Sequence, residues 1–203
     1  MTFGSGLRRG LMMAGLIVAL TGCLGDDKLT WNSKDISGML PDLEFTLTRT
    51  DGQTVSADDY QGQVRLVFFG FTHCPDVCPA TMARLSRAIK AMPEDLQGGV
   101  TPLFVSVDPQ RDDLAHLEEY VSFFYDRTVG LTGDERALRR MVKRYRTTFG
   151  YDAPDEQGNY NVSHSSAVYV FDQHGNARLL LRPEDSADQI TEDLIQLVKQ
   201  ARS

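Results

Sequence analysis

The stretch F-G-F-T-H-C-P-D-V-C-P, residues 69–79, joins an apolar run to two cysteines that stand four positions apart. Residues 64–69 are nearly all apolar, which predicts a central strand covered on both faces. An amphipathic helical pattern begins between Cys74 and Cys78. The stretch therefore predicts a buried strand and a loop that delivers two thiols to the N-terminus of a helix. Two thiols in that place can form a disulfide, hold a soft metal, or do both in turn.

The patterns on either side of this unit predict the rest of the fold. Residues 43–50 alternate as a strand, and Asp51 and Gly52 predict a hairpin turn before a return strand. After the cysteines, the periodicity predicts helices separated by strands at 101–107, 167–171 and 178–181. The order β-β-β-α-β-α-α-β-β-α predicts an α/β, thioredoxin-like fold, with a mixed central sheet flanked by helices and an N-terminal β-hairpin.

The first 22 residues predict an export signal rather than part of the fold. Arg8 and Arg9 form a positive region, and residues 11–20 form an apolar stretch too short for a mature membrane span. The sequence L-T-G-C at 20–23 has the form of a bacterial lipobox, in which the cysteine becomes the lipidated N-terminus. Ordinary signal cleavage near a free cysteine is the alternative.

These features predict three regions and a location. We expect a lipoprotein signal peptide at 1–22, a lipidated tether at 23–40 that begins with lipid on Cys23, and one domain at 41–203. The lipid would hold the domain at the periplasmic face of a bacterial membrane. Whether that membrane is the inner or the outer one stays open.

Cysteine count and charge narrow the function classes. The chain has three cysteines, so lipid on Cys23 would leave Cys74 and Cys78 as a pair in an oxidising compartment. A disulfide between adjacent turns of one helix closes a tiny loop and adds little stability, which favours a working site over a structural staple. The net charge of −7 at pH 7 argues against a nucleic-acid partner.

Histidine is the further soft-metal ligand that the sequence offers. His164 ends a long polar stretch at 151–165, at a strand end that an α/β sheet places beside the first helix. Spacing alone leaves open whether it binds a metal or the backbone. Asp108 ends a central strand at the same edge, where it either orients His164 or a partner, or forms a turn before Pro109. We expect His73 to point away from the site.

Three segments together resemble the Sco/SenC family. They are F-T-H-C-P-D-V-C-P at 71–79, S-V-D-P-Q-R-D at 106–112, and the histidine of V-S-H-S-S at 162–166. The resemblance covers about residues 38–200. It implies a thioredoxin-like fold and a role in assembling the binuclear copper (CuA) site of cytochrome c oxidase. It also implies that Cys74, Cys78 and His164 bind copper, as Cu(I) or Cu(II), with Asp108 near them.

The resemblance implies two partners, and the residues leave two alternatives open. The partners are subunit II of cytochrome c oxidase, or another copper-oxidase subunit, and a copper donor protein. The first alternative is a thiol-disulfide oxidoreductase or peroxidase-like protein in which Cys74 and Cys78 are the catalytic redox pair. The second is a lipoprotein with a structural disulfide between Cys74 and Cys78. Zinc with water as a fourth ligand also suits these ligand types.

Overall fold

The computed structural model of the protein describes residues 30–200, so the predicted signal peptide and Cys23 lie outside the described residues. The described chain forms ten strands, five helices and one 3₁₀ turn at Ala57–Tyr60. The strands are β1 Lys34–Asp35, β2 Thr46–Arg49, β3 Thr54–Ser56, β4 Val64–Gly70, β5 Val100–Ser106, β6 Val129–Thr132, β7 Phe149–Tyr151, β8 Val162–His164, β9 Val168–Phe171 and β10 Ala177–Leu181. The helices are α1 Val77–Lys90, α2 Glu94–Gln97, α3 Leu114–Phe124, α4 Glu135–Arg144 and α5 Ala187–Gln200.

The main sheet has the strand order β1-β10-β9-β4-β5-β6-β2-β3. Strands β4, β5 and β6 run parallel, and the other neighbours pair antiparallel, which confirms the predicted mixed sheet. The predicted hairpin is confirmed as β2 and β3. Because β4 and β5 pair from Val64–Val100 to Gly70–Ser106, their carboxyl ends lie level at one edge. In sheets of this kind, functional sites form outside that edge.

Alternation along β4 places helices on both faces of the sheet. Gly70 lies against Cys78 of α1, and Phe68 two residues earlier shares that face. Phe69 points to the other face and contacts Tyr169, which in turn contacts Tyr145 at the end of α4. Apolar side chains therefore fill both sides of the sheet, as the nearly continuous apolar pattern of β4 predicts.

Short polar side chains cap the N-termini of three helices. Asp113 accepts a hydrogen bond from the backbone N–H of His116 at 2.8 Å, and Asp134 accepts one from Ala137 at 2.7 Å. Ser186 accepts one from Gln189 at 3.3 Å before α5. The cap of α3 is therefore Asp113, whereas the side chain of the preceding Asp112 is buried and accepts hydrogen bonds from Thr72.

The domain begins before the predicted boundary at residue 41. Strand β1 pairs with β10, and Ile36 is buried. The backbone N–H groups of Asn32 and Ser33 each donate to the carboxylate of Asp193 on α5, at 2.9 Å. Residues 31–40, which the sequence assigns to the tether, thus pack on the domain. The sequence does not reveal this packing, because a strand of two residues has no periodic pattern and the carboxylate of Asp193 lies 160 positions from Ser33.

The polar stretch at 151–165 contains a short strand, β8, that its composition does not predict. Strands β7 and β8 form a separate two-stranded ladder in which Phe149 pairs with His164. The sequence predicts a loop there, because two strands of three residues, separated by polar residues, show no recognisable alternation. The short strand β6 was also missed. Among the described residues, no helix is both long and apolar enough to cross a membrane.

Candidate metal centre

The two cysteines stand at the junction between β4 and α1. Cys74 is half-buried in the connecting loop, and Cys78 is the second residue of α1 and fully buried. Cys74 and Cys78 do not stand on adjacent turns of one helix, because α1 begins only at Val77. The loop nevertheless brings the sulfurs together, since the backbone N–H of Cys78 donates to the sulfur of Cys74 at 3.4 Å. A helix N-terminus offers such unpaired N–H groups to a negative sulfur.

His164 reaches this junction from the end of β8. Its Nε2 lies 3.4 Å from Sγ of Cys78, and its Nδ1 lies 2.9 Å from the carbonyl oxygen of Ser165. A carbonyl oxygen only accepts, so Nδ1 carries the proton and Nε2 presents its lone pair. The rings of Phe68 and Phe71 meet the imidazole edge-on at 5.9 and 5.6 Å. These contacts fix the direction in which Nε2 points.

The ligand atoms of Cys74, Cys78 and His164 all lie within 4.8 Å of one another. In the described range 30–200, they are the one group of three or more histidine, cysteine or acidic residues so arranged. Two thiolates and one imidazole form a soft donor set. That set suits Cu(I), and the imidazole extends it to Cu(II). The residues present therefore fit a copper ion.

Burial controls the charge of the site. Desolvation raises the pKa of Cys78 well above its usual range, and the neighbouring sulfur of Cys74 raises it further. Burial also lowers the pKa of His164, which keeps the imidazole neutral near neutral pH. Without a metal, the site therefore holds a protonated Cys78 and a neutral imidazole. A cation that binds here must displace the thiol proton.

The predicted disulfide is not present in the structure. Both Cys74 and Cys78 are free. Their reduced state is the one in which two sulfurs can bind a metal, because a disulfide offers no thiolate. The disulfide thus stays a prediction about another redox state of the same pair.

Asp108 lies just after the end of β5, and its side chain contacts Arg111 and Tyr160 rather than His164. Its buried carboxylate forms an ion pair with Arg111 at 2.5 Å and accepts a hydrogen bond from the hydroxyl of Tyr160 at 2.6 Å. Its backbone carbonyl accepts from Arg111 and Asp112, so it also forms the turn. Asp108 therefore contacts the segment that leads into β8, rather than the imidazole itself.

Arg111 connects the same segment to the sheet edge. Its guanidinium lies 3.8 Å from the centre of the Tyr160 ring and donates to the Tyr160 carbonyl at 3.0 Å. It also lies 5.8 Å from the centre of the Phe71 ring. The cluster of Asp108, Arg111 and Tyr160 thus fastens the loop between β7 and β8, and β8 ends in His164. Sequence reasoning missed Arg111, although the segment at 106–112 that contains it was singled out.

Two further residues shape the site and were missed. Asp112 is buried and accepts hydrogen bonds from the backbone N–H and hydroxyl of Thr72 and from Ser106, at 2.6 to 2.9 Å. It ties the loop that carries Cys74 to the end of β5. Gly70 leaves room for Cys78, because a Cβ there would lie 2.9 Å from its sulfur and 2.8 Å from the Phe104 ring. A glycine in an otherwise apolar strand was the available signal.

Comparison with known proteins decides the family. The family profile described as SCO1/SenC matches residues 37–199. The chain belongs to the SCO1/SenC family. The three segments that carry the resemblance in the sequence all lie within the matched range.

Relatives in this family cover most of the chain. Protein SCO1 homolog 1, mitochondrial, of Arabidopsis thaliana is 32% identical over 158 residues, which are 78% of this chain and 47% of the relative. Protein SCO2 homolog, mitochondrial, of Mus musculus is 32% identical over 201 residues, 94% of this chain and 79% of the relative. This chain spans about half the length of several of the curated SCO relatives that it matches.

A solved structure of the family confirms the fold. Bradyrhizobium japonicum ScoI, solved with copper bound, is 31% identical and superimposes with a TM-score of 0.70, over 77% of this chain and 98% of that one. The thioredoxin-like fold implied by the resemblance is therefore confirmed. The copper in that structure belongs to that relative.

Proposed function

We propose that this chain binds copper through Cys74, Cys78 and His164 and passes it to the CuA site of cytochrome c oxidase. The observation that carries this proposal is the convergence of the three ligand atoms within 4.8 Å. Membership of the SCO1/SenC family and the copper-bound relative support it. Copper is the cargo of this function rather than a permanent part of the protein.

The three ligands differ in a way that suits delivery. Cys74 is half-buried and reachable from the surface, whereas Cys78 is fully buried. A thiolate of the client can therefore approach the cargo from the side of Cys74. As copper leaves, Cys78 regains its proton, which its buried position favours. Loss of the ion then leaves no buried charge behind.

The partners and the location belong to the same proposal. The client is subunit II of cytochrome c oxidase or another copper-oxidase subunit, and a separate donor protein supplies the copper. Lipid on Cys23 would hold the chain at the periplasmic face of a bacterial membrane, where such a client exposes its copper site. The lipobox sequence supports this anchor.

Titration of the reduced full-length chain with Cu(I), against a competing chelator, tests the proposal. We expect one tightly bound Cu(I) per chain. Replacement of either sulfur, by Cys74→Ser or Cys78→Ser, should abolish tight binding, and His164→Ala should weaken it by on the order of tenfold or more. His174→Ala is the matched control, since His174 lies in a turn, and should bind like the parent. A parent chain that binds no Cu(I) stoichiometrically would exclude the proposal.

The unequal burial of the two cysteines supports a second candidate, a thiol-disulfide reductase. Cys74, as the accessible sulfur, would attack a client disulfide and form a mixed disulfide, while the released client sulfur takes up a proton. Cys78 would then attack Cys74, releasing the second client thiol and leaving the Cys74–Cys78 disulfide. Two electrons pass from the pair to the client.

A trapping experiment separates this candidate from copper delivery. In the absence of copper, Cys78→Ser should accumulate a mixed disulfide through Cys74 with a disulfide-bonded client peptide, detected on a non-reducing gel. Cys74→Ser should accumulate none. Equal absence of the mixed disulfide from both variants would exclude the reductase.

A further inference from the structure

Two histidines outside the proposed copper centre lie side by side on the surface. His73 immediately precedes Cys74, and His116 stands in the first turn of α3. Their ring centres are 5.5 Å apart, with 48° between the ring planes. Both residues are exposed. Positions so far apart along the chain are brought together by the loop after β4 and the start of α3.

A buried carboxylate orients the first of these imidazoles. Nδ1 of His73 lies 3.3 Å from Oδ1 of Asp112 and 3.1 Å from the hydroxyl of Thr72, and the Asp112 side chain is fully buried. The Thr72 hydroxyl already donates to the same carboxylate, at 2.6 Å. Nδ1 of His73 therefore carries the proton that faces Asp112, and Nε2 presents its lone pair outward. A carboxylate behind an imidazole is the arrangement that commonly supports metal-binding histidines.

The imidazole of His116 makes no hydrogen bond within the described range. Its backbone N–H is bound to Asp113, while neither of its ring nitrogens has a hydrogen-bond partner among residues 30–200. Each ring nitrogen lies about 1 Å from its ring centre, so nitrogens of the two rings can approach to about 3.5 Å, the separation expected for two ligands at about 2.0 Å from one ion. His116 is exposed, so its ring is free of the packing that would hold it in one orientation.

We propose that His73 and His116 form a second metal site, which takes Cu(II) at the surface beside Cys74. Two imidazoles with water in the remaining positions suit Cu(II) better than the other divalent first-row ions, and the absence of sulfur makes the pair a poor match for Cu(I). The buried carboxylate of Asp112, whose Oδ1 lies 3.3 Å from Nδ1 of His73, adds negative charge behind that imidazole. The pair shares no ligand with the centre formed by Cys74, Cys78 and His164.

The position of the pair suggests its use, which rests on the proposed function. An ion held there lies one residue from the accessible sulfur of the copper centre. Its transfer is a ligand exchange without electron transfer: a nitrogen–copper bond breaks, a sulfur–copper bond forms at Cys74, and the thiol proton passes to solvent. The surface pair would thus increase the rate at which the centre loads from Cu(II).

Binding of Cu(II) to a full-length chain without sulfur ligands tests the site itself. In the background of Cys74→Ser with Cys78→Ser, titration with copper sulfate should yield one bound Cu(II) whose electron paramagnetic resonance shows two nitrogen ligands. Adding His116→Gln should weaken binding by on the order of tenfold or more and remove one nitrogen. Adding His174→Gln, a surface histidine outside the pair, should change neither. Equal affinities with His116→Gln and His174→Gln would overturn the proposal.

A second measurement keeps both cysteines and so does not depend on how the serine background folds. In the otherwise unaltered chain, the sulfur-to-copper charge-transfer band follows loading with Cu(II) in a stopped-flow experiment. His116→Gln should slow loading several-fold with the same final intensity, and thermal unfolding should be unchanged because the residue is exposed. An unchanged rate would contradict the proposed use. Absence of the band from the parent chain would also contradict the proposed use, because the centre would then not take Cu(II) through sulfur, whereas the Cu(I) titration tests the proposed function separately.

Discussion

At the scale of single residues, the buried sulfur of Cys78 determines the proton balance of the site. Burial raises its pKa, so near neutral pH the empty site holds a thiol rather than a thiolate. The neutral imidazole of His164 adds no charge. Neither Cys78 nor His164 therefore carries a charge in the empty site, which is what a low-dielectric environment tolerates. Metal binding and proton release are consequently one event.

This coupling predicts a strong pH dependence of copper affinity. Each proton displaced makes the apparent affinity rise by about tenfold per pH unit while the pH stays below the pKa of the thiol. The pH stays below the raised pKa of Cys78 throughout pH 6–8, so the affinity for Cu(I) should increase across the whole range. Competition titrations of the parent chain at several pH values measure the slope. A parent affinity that is flat over this range would refute the coupling.

Gly70 makes a second prediction at this scale. Gly70→Ala places a methyl group against the sulfur of Cys78 and the ring of Phe104, both of which are buried. The overpacking should lower the free energy of unfolding by about 1–3 kcal/mol and weaken copper binding by displacing the sulfur. Denaturation in urea and the Cu(I) titration measure the two effects.

Gly98→Ala is the matched control for this substitution. A Cβ at Gly98 would meet only the guanidinium of Arg127, at 3.4 Å, the far end of a flexible side chain. Its free energy of unfolding should therefore change by no more than about 0.5 kcal/mol. Equal stability losses in both variants would show that the close approach at Gly70 has no special cost.

At the scale of elements, the loop between β7 and β8 decides where His164 stands. Asp108, Arg111 and Tyr160 fasten that loop to the end of β5 through an ion pair, a stacked guanidinium and two hydrogen bonds. The strand β8 itself has only three residues. Its own ladder with β7 is too short to be stable alone. The position of the imidazole therefore depends on contacts made several residues before it.

Arg111→Met should release this loop. The substitution leaves the fully buried carboxylate of Asp108 without its cation, which should cost on the order of 3–5 kcal/mol in the free energy of unfolding. Hydrogen exchange in β7 and β8 should speed up more than in β4 or β5. Arg144→Met is the control, because its partner Glu44 is 73% exposed and such a pair contributes only about 0–1 kcal/mol. Similar costs for both arginines would contradict the fastening role.

The same elements show what the sequence can predict. Strands β4 and β5 and the long helices carry strong periodic patterns, so their order and the mixed sheet could be predicted from residues alone. The strands β1, β7 and β8 could not be predicted, because two or three residues are too few to show a periodic pattern. Their pairing depends on residues distant in the sequence. Spacing placed Cys74 and Cys78 at a helix start. Sheet topology placed His164 beside the first helix, but only the family resemblance made it a ligand, since its exact position depends on that loop.

At the scale of the whole molecule, the site occupies the edge where the parallel strands β4 and β5 end. The loop after β4 supplies both sulfurs, the turn after β5 supplies Asp108, Arg111 and Asp112, and the β7–β8 ladder supplies the imidazole. Three separate parts of the chain thus meet at one edge. Cys74 is partly exposed at this edge, whereas Cys78 is buried. The proposed delivery of copper requires such access from one side.

The proposed lipid anchor is also a property of the whole chain. Expressed with its signal in a bacterium fed labelled palmitate, the full-length protein should carry the label and fractionate with membranes. Cys23→Ala should remove the label, whereas Cys74→Ser, a control that removes a different cysteine, should retain it. Label on the Cys23→Ala chain would contradict lipidation at that residue.

The convergence of three side chains on one ion is tested most directly by X-ray absorption at the copper edge. The reduced full-length protein, loaded with one equivalent of Cu(I), should show two sulfur ligands and one imidazole nitrogen. In His164→Ala the nitrogen contribution should disappear while both sulfurs remain. A parent spectrum with fewer than two sulfurs, or one that His164→Ala leaves unchanged, would contradict the account.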